Sequence, residues 1–112
     1  ENWVWQDWKF KAITADCNVV DPASGNYGSI PDIIINTSTE HFVSTVWFDR
    51  IPSGTLVALQ SNNMPHDDHH GCVDDIDSLK MKYPLSRYIY EGKLDFRYPS
   101  WGFSRFMTIG RK

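Results

Sequence analysis

Cysteine is scarce in this chain. Its 112 residues hold two, Cys17 and Cys72. That is too few for a four-thiolate zinc site, and the spacing is not Cys-x-x-Cys. Paired, they would close a loop of 55 residues (72 − 17), and chain entropy values such a bridge at roughly 4 kcal/mol. Small secreted domains lean on bridges of this kind, so a Cys17–Cys72 disulfide and secretion are the expectation. A start at Glu1 and the sequon Asn36-Thr37-Ser38 agree with it. Long apolar runs are also missing. Stretches such as Ile33–Ile35 fall far short of the roughly 20 residues that span a bilayer as a helix. No stripe at i, i+3, i+4, i+7 persists over three turns, which argues against a helical protein. No Gly-x-Ser-x-Gly elbow, internal repeat or low-complexity tract is present, and nucleophilic catalysis has little support.

What the chain does have is aromatic and β-branched residues. Aromatics make up 14% of it and hydrophobic residues 41%, enough for one folded domain over residues 1–112. Val, Ile, Thr, Tyr, Phe and Trp suit a pleated, half-buried surface. Turn signals recur at short intervals: DPASGNYG, IPSG, NNMP, YPLS, YEG and YPSWG. Between them, HFVSTVWFDR reads as a central strand with two apolar faces, TLVALQS as its hairpin partner, and SLKMKY as a strand with Leu79, Met81 and Tyr83 inward. RYIYEGKLDFRY reads as a tight hairpin around Glu91-Gly92, and FSRFMTIGR as a last strand. One helical turn is allowed near DDIDSLK, capped by Asp75 or Asp77. The expected architecture is all-β: a small antiparallel sandwich or barrel of seven or eight strands.

The tryptophans are unevenly placed. Trp3, Trp5 and Trp8 crowd the first ten residues. Trp3 and Trp5 share one face of a strand, and Trp8 follows after a phase shift that suggests a bulge at Gln6-Asp7. A strand with indoles on both faces cannot bury all of them, so at least one is expected at a surface. Trp101 lies in the RYPSWGFSR turn, close to Tyr98, where full burial is hard to arrange. Trp3, Trp5, Trp8, Trp101 and Tyr98 are therefore the candidate ligand-binding aromatics.

The stretch NNMPHDDHHGCVDDID carries three of the four histidines and five aspartates, with no basic residue among them. Imidazoles and carboxylates suit a divalent ion. The candidate ligands are His66, Asp67, His69 and Asp74, with calcium preferred to zinc. The spacing matches no finger or helical zinc pattern, and the loop lacks the terminal glutamate of an EF-hand. Acid–base cleavage of RNA would need a His or Glu pair and an Arg. Glu40, His41 and Arg50 supply these types, but on a strand Glu40 and His41 would face opposite ways.

Charge divides the chain. Residues 1–78 hold Lys9, Lys11 and Arg50 against twelve carboxylates, a balance of −9, while residues 79–112 hold eight cations against Glu91 and Asp95, a balance of +6. This fits an acidic loop folded beside a basic sheet. The function expected is a secreted, lectin-like binding module that presents aromatics to a carbohydrate or a partner protein, with nucleic acid an unfavoured ligand and no catalytic residue assigned. The alternatives are a toxin, effector or inhibitor acting through protein contacts, and a small nuclease-like hydrolase using the His/Asp loop.

Overall fold

The computed structural model describes residues 3–6, 10–21, 24 and 30–112, with residues 3–6, 10 and 11 described by their backbone alone. Strand β1 (Trp3–Gln6) pairs antiparallel with β2 (Phe10–Ile13). The expectation of one bulged strand is thereby replaced by a hairpin, in which Gln6 faces Phe10. A second sheet has four strands in the order β3-β4-β6-β5: β3 (Ile33–Asn36), β4 (Leu56–Asn62), β5 (Arg87–Arg97) and β6 (Gly102–Arg111). β4–β6 and β6–β5 are antiparallel, while β3 runs parallel to β4.

That parallel pair is the source of the largest departure from the all-β expectation. Two parallel neighbours need a crossover that carries the chain back along the sheet. Residues 37–55 supply it with a 3-10 turn (Thr39–His41) and a short helix α1 (Val46–Asp49). HFVSTVWFDR is therefore not a strand. Trp47, Phe48 and Ile51 all turn inward and are buried. The segment SLKMKY is not a strand either. It lies in and just beyond helix α2 (Ile76–Lys82), which starts where the capping signal placed a helical turn: the Asp75 carboxylate accepts the Ser78 backbone N–H at 2.7 Å.

The structure is mostly sheet, as expected, but helices cover its inner face where a second sheet was anticipated. Among the described residues there are six strands rather than seven or eight. Val57 and Leu59 of β4 and Phe106 of β6 project to the helical side. They meet Trp47, Phe48 and Ile51 from the crossover and Leu79, Tyr83 and Leu85 from α2 and its exit. Trp47, Phe48 and Tyr83 form a mutual aromatic cluster, with ring centroids 5.2–5.9 Å apart. Burial pushes the Tyr83 phenol up to about 12. Lys112 closes the crossover: its ammonium donates to the carbonyls of Asp49 and Ile51 at 3.1 and 3.0 Å.

β5 also corrects the sequence reading. It continues straight through Glu91-Gly92, and its irregularity is a bulge at Ile89, between Tyr88 and Tyr90. The hairpin turn comes later, at Tyr98–Trp101, where the Tyr98 N–H donates to the Trp101 carbonyl at 2.8 Å.

The expected Cys17–Cys72 disulfide is not formed, and both thiols are free. Cys17 packs against the core cluster. The Cys72 thiol instead donates to the Met64 carbonyl at 3.5 Å and to Asn62 Oδ1 at 3.7 Å. Without the bridge, the cysteines no longer argue for an oxidising compartment. Burial pushes both thiols up, helped by Asp16 at Cys17 and by Glu40 at Cys72, so neither is an activated nucleophile.

Two measurements follow from this fold. Leu79 and Met81 would share a face on a strand, but on α2 Leu79 is fully buried and Met81 is 83% exposed. Leu79→Ala is expected to cost about 3 kcal/mol in urea unfolding and Met81→Ala less than about 0.5 kcal/mol; equal costs would restore the strand. Thiol titration of the unfolded, unreduced chain is expected to count two sulfhydryls, and a count of none would restore the bridge.

Candidate functional site

Because the helices take one face of the four-stranded sheet, the register assigns the rest to the other. Gln60 pairs with Met107, Tyr90 with Ile109, Gly92 with Met107, Leu94 with Arg105 and Phe96 with Phe103. All of these side chains alternate away from buried Leu59, Phe106 and Thr108. On this open face the β5–β6 hairpin builds an aromatic ladder. Tyr98 stacks on Trp101 (centroids 4.7 Å, planes 19° apart), Trp101 on Phe103 (5.8 Å, 15°), and Phe103 on Phe96 (4.8 Å, 10°). Tyr98 and Trp101 remain half exposed, at 48% and 51%. Tyr98 ends the ladder, with Trp101 as its ring partner on one side.

At the other end stands Arg105. Its guanidinium lies 5.9 Å from both the Phe96 and Phe103 rings. It also lines a depression of about 310 Å³ with Gln60, Tyr90, Gly92, Leu94 and Met107. The Tyr90 ring lies across Gly92, and a Cβ there would push this half-exposed side chain aside. Among the described residues, the side-chain polar groups of Arg105, Gln60 and Tyr90 make no hydrogen bond or ion pair. The face thus joins stacked rings to polar groups with unused hydrogen-bonding capacity.

A second cluster lies on the loops. The 3-10 turn is anchored to β4 by Thr39, whose hydroxyl donates to the Gln60 carbonyl at 2.8 Å. The loop 66–71 folds against it through the Gly71 N–H, which donates to the Glu40 carbonyl at 2.7 Å. Lys82, from the end of α2, clamps the two together by donating to Phe42 O at 2.7 Å and Gly71 O at 3.0 Å. Gly71 is obligatory, because a Cβ would overlap the Phe42 carbonyl. The clamp brings Glu40, His41 and His69 together, with their ligating atoms within 4.8 Å of one another. Burial holds the Lys82 ammonium below its ordinary value.

Of the residues expected to bind ligand, Tyr98 and Trp101 are in the ladder. Trp3 and Trp5 lie on β1, opposite Ile13 and Lys11, with nothing described of their side chains, and Trp8 lies outside the described residues. Of the expected metal ligands, His69 joins Glu40 and His41. His66 is exposed, and its Nδ1 accepts the Asp68 N–H at 3.2 Å. Asp67 is exposed, and Asp74 lines a different depression with Asn63, Asp75, Asp77 and Lys93. Phe96, Phe103 and Arg105 are not among the ligand-binding candidates read from the sequence, although Arg105 and Phe96 belong to its interleaved basic and aromatic C-terminal third. The signal that could have found them was the hairpin register, because the PSW turn sets Phe96 opposite Phe103.

No family model, curated protein or solved structure matches this chain.

Lys82→Met removes both clamp bonds but keeps the apolar stem. It is expected to cost about 2 kcal/mol, read as a lowered urea midpoint, with faster amide exchange at Gly71. An unchanged midpoint and unchanged exchange would mean that Lys82 does not hold the loops.

Proposed function

We propose that this chain is a binding module whose open sheet face takes a glycan. The observation that carries this reading is the four-ring ladder running into Arg105, Gln60 and Tyr90. A pyranose offers an apolar C–H face and a rim of hydroxyls. Flat rings suit the first, and unpaired planar side chains suit the second. Tyr98, backed by Trp101 on its inner side, offers its outer ring face for stacking, and the depression beside Arg105 takes the polar rim. Arg105 favours sugars that bear a carboxylate or sulfate, which a guanidinium grips through two parallel hydrogen bonds.

The same face supports a second reading. Ile33 and Ile35 are exposed on β3, at the edge of the sheet. An apolar patch next to an open strand edge suits a partner protein that docks by strand addition.

A glycan array with neutral, uronate-bearing and sulfated saccharides tests the first reading. Binding is expected to concentrate in the acidic set. Trp101→Ala should weaken it about 30-fold, the loss typical of a hot spot worth ~2 kcal/mol. Arg105→Gln should remove the preference for acidic over neutral members. Retained affinity in Trp101→Ala, or an array with no hits, would reject the glycan reading and leave the protein partner.

A further inference from the structure

The Glu40–His41–His69 cluster has no part in glycan binding, and three features of its geometry point to a cation. The first is convergence: one carboxylate and two imidazoles, from a 3-10 turn and a separate loop, bring their ligating atoms within 4.8 Å of one another. The second is how the rings are held. His41 gives its Nδ1–H to the Asp68 carbonyl at 3.1 Å, and His69 gives its own to the Met64 carbonyl at 2.9 Å. A carbonyl only accepts, so both rings carry a proton on Nδ1, and the neutral form of each ring leaves the Nε2 lone pair free for a ligand. Metal-binding histidines are oriented by this type of second bond. The third is Glu40 itself. The residue is only 5% exposed, yet its Oε2 is buried with no hydrogen-bond partner. A carboxylate oxygen removed from water is costly unless a donor or cation meets it. A neutral imidazole already protonated on Nδ1 has no proton on Nε2 to offer. A metal ion satisfies the oxygen and both nitrogens together.

The structure assigns Glu40, His41 and His69 as a binding site for a divalent transition metal of the zinc class. Zinc takes imidazole nitrogen and carboxylate oxygen at about 2.0–2.2 Å, so the partners in a tetrahedral site stand roughly 3.3 Å apart. The 4.8 Å spread of the cluster is wider than that, so a bound ion would have to draw the three side chains closer together. Three protein ligands leave a fourth position for water or an incoming donor. Calcium and magnesium do not fit, since both want six or more oxygens around them. The site keeps His69 from the ligands read along the sequence and exchanges His66, Asp67 and Asp74 for two residues nearly thirty positions upstream. It is independent of the glycan reading and stands or falls separately.

Calorimetric titration of the EDTA-treated full chain with zinc, paired with cobalt absorption spectroscopy, tests the assignment. One equivalent of zinc is expected to bind, and cobalt is expected to show the visible bands of a four-coordinate site. Glu40→Gln, His41→Ala and His69→Ala are each expected to weaken zinc at least about tenfold. His66→Ala and Asp74→Asn should leave it within about twofold. Circular dichroism melts of the metal-free variants show which of them are folded, and the affinity of each folded variant is then compared with the parent. Absence of heat and of cobalt bands overturns the assignment. So does binding that survives Glu40→Gln and His41→Ala, or that is lost in His66→Ala or Asp74→Asn.

Discussion

The four-stranded sheet can be covered on only one side by the helices it has. The crossover between β3 and β4 and the helix before β5 both pack on the face that carries Leu59 and Phe106. They bury the aromatic cluster of Trp47, Phe48 and Tyr83 there, and burial of this apolar surface is the main favourable term in folding. The aromatic ladder belongs to the face left over. Its strands still alternate, so they still present large side chains, and these have no covering layer among the described residues. Exposed apolar residues scattered singly are ordinary, whereas here the rings form a continuous stacked row on one face, and the proposed binding role rests on that row.

A second constraint acts locally. The 3-10 turn and the His-rich loop lie far apart in sequence and have little regular structure of their own. Their mutual position depends on a few backbone groups: the Gly71 N–H on the Glu40 carbonyl, and the Lys82 ammonium on two further carbonyls. Buried carbonyls need donors, and α2 ends where Lys82 can supply them. The helix thereby links the core to the loops. Leu79 fills the interior while Lys82, three residues on, holds the cluster of Glu40, His41 and His69 in place. The ladder has a different support, the register of the long β5–β6 hairpin. The two candidate sites are thus built on different elements.

Much of the sheet was legible in the sequence, because β4, β6 and Ile33–Ile35 alternate or run apolar as strands do. The Asp75 cap was legible for the same local reason. The helices were not, and the cause is their length. In α2 and its exit, Leu79 and Tyr83 are two strand periods apart and also one helical i, i+4 step apart, so seven residues cannot separate the two periods. Met81 decides between them, but its exposure is a fact of the fold. In α1, four residues are barely one turn. Misreading that segment also hid the cluster, since Glu40 and His41 diverge on a strand but converge on a 3-10 turn. Their meeting with His69 is a long-range contact, and no local pattern records it. The half-exposure of Trp101 and Tyr98 was legible because a Pro-x-Trp-Gly turn resists burial. Their partners Phe96 and Phe103 resembled ordinary strand residues.

The claim on which the account rests is that one sheet face is sealed by helices and the other is open. Solvent paramagnetic relaxation measured with a soluble, neutral gadolinium chelate tests it directly. Strong relaxation is expected at the side chains of Ile33, Ile35, Tyr90 and Leu94, and protection at Val57, Leu59 and Leu79. Equal protection of both sets would mean that a further layer covers the open face, and it would contradict the account.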